Sequence, residues 1–323
     1  MEEEEEEVDE QSYDGTRNSL KPFRKVKDTK ITLNNGIQMP VLGFGTYKIQ
    51  GLEDVYQIIK FALSAGYKLF DTASNYYNER DIGTSMAAHL PDNNLERDDV
   101  FIISKLATQD QCGTNVRKAV LKSMKNLMME QIDLYLVHWP GGSIADIPDD
   151  ESPKHRSVRH DTWQQLVRLL EEEKLRSIGV SNFCARHLGD LLDFSSVKPV
   201  VNQVEFHPHY RQPQELIDLC KEQDIFLQAY GLFGGGENAV LFDPVIIEVL
   251  TAIRRRIHYL STAQVILRWG LQSGFGVLTK AMDYTPIHLN ADLDFYITKR
   301  QMNQINAIST RRKYYWDPEA ILH

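Results

Sequence analysis

The chain is poor in cysteine: Cys112, Cys184 and Cys220 are the only three in 323 residues, and they lie far apart. So few, so scattered, exclude a disulfide framework and a cysteine-built zinc site, and they fit a reducing compartment. No apolar run approaches the ~18–20 residues of a membrane-spanning helix, so no membrane partner is expected. A basic leader is also missing. Met1 is followed by six glutamates, the reverse of a secretory or mitochondrial presequence, and the cytoplasm is the expected location. The net charge of −9 belongs to one end, because residues 1–15 carry nine Asp and Glu and no Lys or Arg, leaving 36 acids against 36 bases. A body without excess positive charge gives no reason to expect a nucleic-acid partner. Gly43-x-Gly45 lacks the third glycine of a dinucleotide fingerprint, since position 48 is Lys48, and there is no Walker loop. No internal repeat and no composition shift divide the chain. It therefore reads as one domain over 29–323. Residues 1–28 read as a charged, solvated arm, acidic first and then basic through Arg17, Lys21, Arg24, Lys25 and Lys27.

The remainder has the composition of a globular protein, 42% hydrophobic and 25% charged. Ile31-Thr32-Leu33, Asn34-Asn35-Gly36 and Ile37-Gln38-Met39-Pro40 predict a hairpin, because Asn-Gly accepts the positive φ of a tight turn. Beyond it, short apolar runs alternate with stretches of helical period. The runs predict strands at 41–44, 68–72, 100–105, 132–138, 176–181, 200–205, 225–230 and 275–279. Helices are expected near 52–65, 79–89, 114–129, 161–173, 185–194, 213–223 and 261–272, with an extra one at 244–257 and one more late in the chain. Eight strand–helix units, with continuously apolar strands, match a closed (β/α)8 barrel, capped at its bottom by the N-terminal hairpin, better than an open doubly wound sheet. The stretch 141–160, rich in Asp, Pro, Ser and His, reads as a long loop walling a pocket.

Three of these strands end on ionisable residues at nearly even spacing: Asp71, Lys105 and His138, separated by 34 and 33 positions. In a parallel barrel such ends converge on one mouth. Tyr76 follows Asp71 by five residues. A free tyrosine titrates near pH ~10 and is a weak acid. A nearby ammonium favours the phenolate, so Lys105 is expected to lower that pKa, with Asp71 holding the lysine charged and His138 orienting a carbonyl oxygen or relaying a proton. The set suits protonation of an oxygen during carbonyl reduction, with hydride supplied from elsewhere.

Several segments resemble the aldo-keto reductase family over essentially all of residues 30–310. They are Gly43-Phe44-Gly45-Thr46-Tyr47, Asp71-Thr72-Ala73-Ser74-Asn75-Tyr76-Tyr77-Asn78-Glu79, Ile103-Ser104-Lys105-Leu106, Leu136-Val137-His138-Trp139-Pro140, Ile178-Gly179-Val180-Ser181-Asn182-Phe183 and Asn202-Gln203-Val204-Glu205. The resemblance implies a barrel that binds an extended nicotinamide cofactor without a Rossmann fold and reduces a small carbonyl substrate. It makes Tyr76, rather than Tyr77, the acid of a tetrad with Asp71, Lys105 and His138. It implies that Ser181, Asn182 and Gln203 bond the nicotinamide carboxamide, that Tyr230 stacks on its ring, and that Gly45, Thr46, Asp71, Gly231, Leu232 and Gly234 belong to the cofactor site. Tyr47, His138 and Trp139 then line the substrate pocket.

At the far end of the cofactor the chain departs from the family. Ala229-Tyr230-Gly231-Leu232-Phe233-Gly234, followed by Gly235 and Gly236, replaces a Ser-Pro-containing loop. Lys280 is kept for a 2′-phosphate and Asn290 for adenine, but Ala281, Pro286 and Leu289 stand where a serine, an arginine and an acid are usual. Losing an arginine–phosphate pair weakens discrimination. NADP(H) is favoured, and NAD(H) remains admissible. The short C-terminus implies a reduced pocket loop and broad selectivity. A monomer is expected, with a dimer also compatible.

Two other readings compete. A cofactor-binding sensor barrel with little turnover would keep the fold and the altered phosphate loop. A metal-dependent hydrolase would use His207-Pro208-His209 near Glu205, although no second histidine cluster supports it.

Overall fold

The computed structural model describes residues 25–141 and 152–321. The Asn-Gly turn forms, pairing β1 (Lys30–Thr32) antiparallel with β2 (Gln38–Pro40). Eight parallel strands then close a barrel: β3 (Leu42–Gly45), β4 (Leu69–Asp71), β5 (Phe101–Leu106), β6 (Leu134–Val137), β7 (Ile178–Ser181), β8 (Val201–Glu205), β9 (Phe226–Tyr230) and β10 (Gly276–Thr279), with β10 pairing back onto β3. Helices cover the outside: α1 (Leu52–Ser64), α2 (Glu79–Asp92), α3 (Thr114–Leu127), α4 (Ser152–Glu171), α5 (Ala185–Phe194), α6 (Gln214–Glu222), α7 (Pro244–Arg254), α8 (Thr262–Gln272), α9 (Tyr284–Ala291) and α10 (Lys299–Asn306).

The alternation of side chains along each strand sorts the core into two parts. Leu69, Phe101, Ile103, Leu134, Leu136, Val201, Phe226 and Leu278 form an inner cluster, and Leu33 and Met39 of the hairpin close it from below. Phe70, Ile102, Tyr135, Val137, Val180, Ala229 and Val277 face outward, against the helices. Continuing the inner parity places Asp71, Lys105, His138, Ser181 and Gln203 inside, at the upper ends of their strands. The strand registers therefore aim these side chains at one mouth, because a slip of one residue would turn any of them out. Gly43 and Gly179 also lie on the inner side. A Cβ on Gly179 would sit 2.7 Å from the Val201 carbonyl oxygen, so the interior leaves no room for one there.

Three expectations need correction. Helix α4 begins at Ser152, so 152–160 is not loop. Its buried face there includes His155 and Arg159, and Arg159 donates to the Pro140 carbonyl at 3.1 Å, so hydrogen bonds replace the apolar period that would have revealed a helix. The rest of the anticipated pocket loop, 142–151, lies outside the described residues. Two late helices form instead of one, and Pro286 sits in the first turn of α9, where a missing N–H costs nothing. At the N-terminus, Val26 is 1% exposed and its N–H donates to Asp294 at 2.8 Å, so the packed body takes in 26–28. The acidic stretch lies outside the described residues.

Candidate active site

Asp71 ends β4, and Lys105 is the fifth residue of β5. The Lys105 ammonium, buried at 1% exposure, donates to Asp71 Oδ1 at 2.6 Å and to the Thr72 carbonyl at 2.9 Å. After Asp71 the chain makes a short 3-10 turn, Ser74–Tyr76, followed by Tyr77 in the left-handed region at φ 59°. Asn78 holds this turn. Its Oδ1 accepts from Thr72 Oγ1 at 2.6 Å, and its Nδ2 donates to the carbonyls of Thr46 at 3.0 Å and Ile49 at 2.8 Å. The reversal separates the two tyrosines. Tyr77 is 78% exposed, whereas the Tyr76 ring lies 5.0 Å from Tyr47, 5.7 Å from His138 and 5.0 Å from the Lys105 ammonium.

The electrostatics differ from the sequence expectation. Burial raises the Tyr76 pKa well above its ordinary value, and the Asp71 carboxylate raises it further. Lys105, paired with Asp71, does not reverse this while the phenol is neutral. Tyr76 is therefore held as the neutral phenol. Burial lowers Lys105 against the pull of Asp71. His138 is lowered well below its usual range, first by burial and then by the Lys105 charge, so its ring is neutral near pH 7. His138 Nδ1 is buried without a hydrogen-bond partner among the described residues.

The ends of β7, β8 and β9 add a polar shelf. Ser181 Oγ donates to the Gln203 carbonyl at 2.9 Å. Asn182, left-handed at φ 63°, donates to the His138 carbonyl at 2.9 Å and accepts from the Tyr230 hydroxyl at 2.6 Å. Asparagine tolerates that backbone conformation better than most residues. Gln203 Nε2 donates to Asp71 Oδ2 at 2.8 Å and to Gln228 Oε1 at 2.9 Å. Asp71 thus ties the acid–base corner to the shelf. This set offers hydroxyl and amide groups beside an aromatic plate, which fits a nicotinamide carboxamide and ring. On the first strand, Gly45 pairs with Asp71, and Thr46 donates to the Asp71 carbonyl from both N (3.0 Å) and Oγ1 (2.9 Å). Gly231 and Gly234 follow β9 at φ 71° and 86°, with Leu232 buried between them. Lys280 donates to the Tyr47 carbonyl at 3.0 Å, and burial together with Lys48 lowers its pKa. Asn290 is buried at 4% exposure and gives its amide to Thr279 Oγ1 at 2.9 Å, so in this conformation it faces the strand end rather than open solvent.

Sequence reasoning passed over Lys313, Tyr314, Tyr315 and Trp316. Lys313 reaches Glu205 Oε2 at 2.7 Å, the Tyr315 ring stands 5.2 Å from Tyr230, and Trp316 lies 4.8 Å from Trp139. The C-terminal segment, however short, closes one side of the mouth and adds two aromatic walls to Tyr47 and Trp139. Its signal was the run Tyr314-Tyr315-Trp316 in an otherwise polar stretch. His207 and His209 turn to different partners, His207 to Glu205 at 3.0 Å and His209 to Asp243 at 2.9 Å. Among the described residues no group of three or more His, Cys, Asp or Glu could hold a metal ion, and no helix is long and apolar enough to cross a membrane.

Comparison with known proteins gives a consistent picture. The model of the aldo/keto reductase family matches residues 41–310. The chain is 37% identical over 298 residues to glyoxal reductase of Bacillus subtilis (strain 168), covering 92% of this chain and 98% of that one. It is 34% identical over 290 residues to a 9,11-endoperoxide prostaglandin H2 reductase of Trypanosoma cruzi, covering 90% and 94%. Among solved structures, the Bombyx mori aldo-keto reductase in complex with NADP superimposes with a TM-score of 0.79 at 29% identity, covering 89% of this chain and 94% of that one.

Proposed function

The chain belongs to the aldo/keto reductase family and reduces a carbonyl group to an alcohol with a nicotinamide cofactor; on that premise we propose that Tyr76 is the acid of the reaction. The observation that carries this reading is the buried Lys105–Asp71 pair beneath a tyrosine that its surroundings keep protonated. When bound, the nicotinamide supplies the hydride. The Tyr76 hydroxyl gives its proton to the carbonyl oxygen as that oxygen gains negative charge. Lys105, 5.0 Å from the tyrosine ring and fixed by Asp71, supports the phenolate that remains. Neutral His138 points the carbonyl oxygen toward Tyr76, since an unprotonated imidazole donates a hydrogen bond without competing as an acid.

Ser181, Asn182 and Gln203 would hold the carboxamide, and Tyr230 would offer its ring face. NADP is the favoured form. Lys280 and Lys48 place two ammonium groups at the β10–β3 seam, which suits an anion, but the arginine that would grip a 2′-phosphate bidentately is replaced by Pro286. Tyr47, Trp139, Tyr315 and Trp316 make an aromatic-walled pocket for small aldehydes and ketones. The name of the Bacillus relative makes glyoxal a first substrate to assay.

Replacing Tyr76 by Phe tests the assignment. Turnover should fall at least ~100-fold, the usual contribution of a positioned acid, while cofactor binding followed by tryptophan fluorescence stays within about twofold. Unchanged turnover would remove Tyr76 from the role.

A further inference from the structure

The loop after β9 and the C-terminal segment are fastened to each other by side chains that lie outside the catalytic corner. His209 is the centre of this fastening. It is 5% exposed, and its ring lies 2.9 Å from the Tyr314 hydroxyl through Nδ1 and 2.9 Å from Asp243 Oδ2 through Nε2. Its carbonyl accepts from the Arg312 N–H at 2.9 Å. Asp243 in turn caps α7, accepting from the Val245 N–H at 2.9 Å. One imidazole therefore joins the end of the 231–243 loop to residues 312–314.

Four further contacts follow the same line. Arg312 pairs with Glu237 at 3.1 Å, and its guanidinium lies 4.8 Å over the Tyr314 ring. A Cβ on Gly235, at φ 66°, would press on Tyr314 Cβ at 3.0 Å. Gly231, at φ 71°, would place a Cβ 2.6 Å from the Tyr315 ring. Two of the four glycines that set this loop apart at the sequence level, Gly231 and Gly235, are thus positions over which the C-terminal aromatics lie. On its other side the segment is latched to the barrel by buried Glu205, which accepts from Lys313 Nζ and from the Tyr314 N–H, each at 2.7 Å.

We propose that His209 is a positioning residue that couples the 231–243 loop and the 312–316 segment into one gate, so that the cofactor side and the substrate side of the mouth open and close together. The inference builds on the cofactor placement proposed above, because Gly231 and Gly234 were assigned to the cofactor site. It goes further in naming what holds that loop. Opening the loop breaks the Asp243–His209–Tyr314 chain, and once the chain is broken Tyr315 and Trp316 lose their fixed place against Tyr230 and Trp139. Exchange of cofactor and fit of substrate then depend on the same hydrogen bonds.

Tyr314→Phe removes one hydroxyl and keeps the ring on Gly235. Hydrogen exchange on the cofactor-free protein, read by mass spectrometry, should show amides in 232–242 and in 312–316 loosening together by about fivefold, the worth of one hydrogen bond. Loosening of the 312–316 amides alone would overturn the coupling. NADPH release followed by stopped-flow fluorescence should accelerate about fivefold in Tyr314→Phe and in His209→Ala, and the double variant should release no faster than the faster single one. Additive acceleration, or none, would overturn the proposal. The exchange result does not depend on Tyr76, so a failed acid assignment and a failed gate are distinguishable. KM for a bulky aldehyde should rise in both variants while kcat for glyoxal changes little, and a fall in kcat alone would point to damage at the catalytic corner instead.

Discussion

Tyr76 shows how far a side chain's chemistry is set by what surrounds it. From sequence, an adjacent lysine argues for a lowered phenol pKa. In the fold, the lysine is paired with Asp71 at 2.6 Å while burial and the Asp71 carboxylate act on the phenol, and the direction reverses. The raised pKa keeps the phenol protonated through neutral and mildly alkaline pH, and it also makes that proton harder to give. Difference absorption at 295 nm between pH 7 and pH ~10 should therefore show the same tyrosinate growth in wild type and Tyr76→Phe, since Tyr76 does not ionise in that window. A deficit of one tyrosinate in the variant would contradict the raised value. Tyr76 and Tyr77 are adjacent in the chain but face different surroundings. The motif spacing chose between them, and the left-handed Tyr77 gives the reason, turning one ring into the mouth and the other into solvent.

Among elements, the turn after β4 is the smallest unit that makes chemistry of a strand end. Asn78 satisfies three buried groups with one amide, and no other side chain of its size offers both donors and an acceptor in that geometry. Asn78→Ala strands the Ile49 carbonyl and the Thr72 hydroxyl, and it leaves the Thr46 carbonyl with the Ile49 N–H alone. Urea unfolding should show a loss of about 2–4 kcal/mol, and turnover should fall with it as Tyr76 loosens. An unchanged midpoint would mean that the turn holds without the asparagine. Helix α4 is the element the sequence hid. A face carried by His155 and Arg159 has little apolar period, and the buried hydrogen bonding of Arg159 shows why a helix is stable there.

Over the whole molecule, the closure of β10 onto β3 joins the last barrel strand to the first, and the proposed 2′-phosphate contact lies at that seam. The seam brings Lys280, from the end of the chain, onto the Tyr47 carbonyl near its start. Lys280→Ala should weaken NADPH binding about tenfold or more and leave NADH within twofold, because only the former carries a 2′-phosphate. Equal losses for both cofactors, measured by fluorescence titration, would assign the lysine to the Tyr47 backbone alone.

The barrel, its eight strands and the meeting of Asp71, Tyr76, Lys105 and His138 at its mouth were legible in the chain because they follow local rules. Apolar runs of fixed length make strands, alternation decides which side faces in, and parallel closure brings the strand ends to one mouth. Contacts between distant segments were not legible: Gln203 on Asp71, Lys313 on Glu205, Tyr314 on His209 and the C-terminal aromatics over Gly231 and Gly235. Each joins residues separated by 79 to 132 positions, and no periodicity encodes such a pairing. The direction of the Tyr76 pKa belongs with them, since burial is a property of the packed molecule and not of any motif.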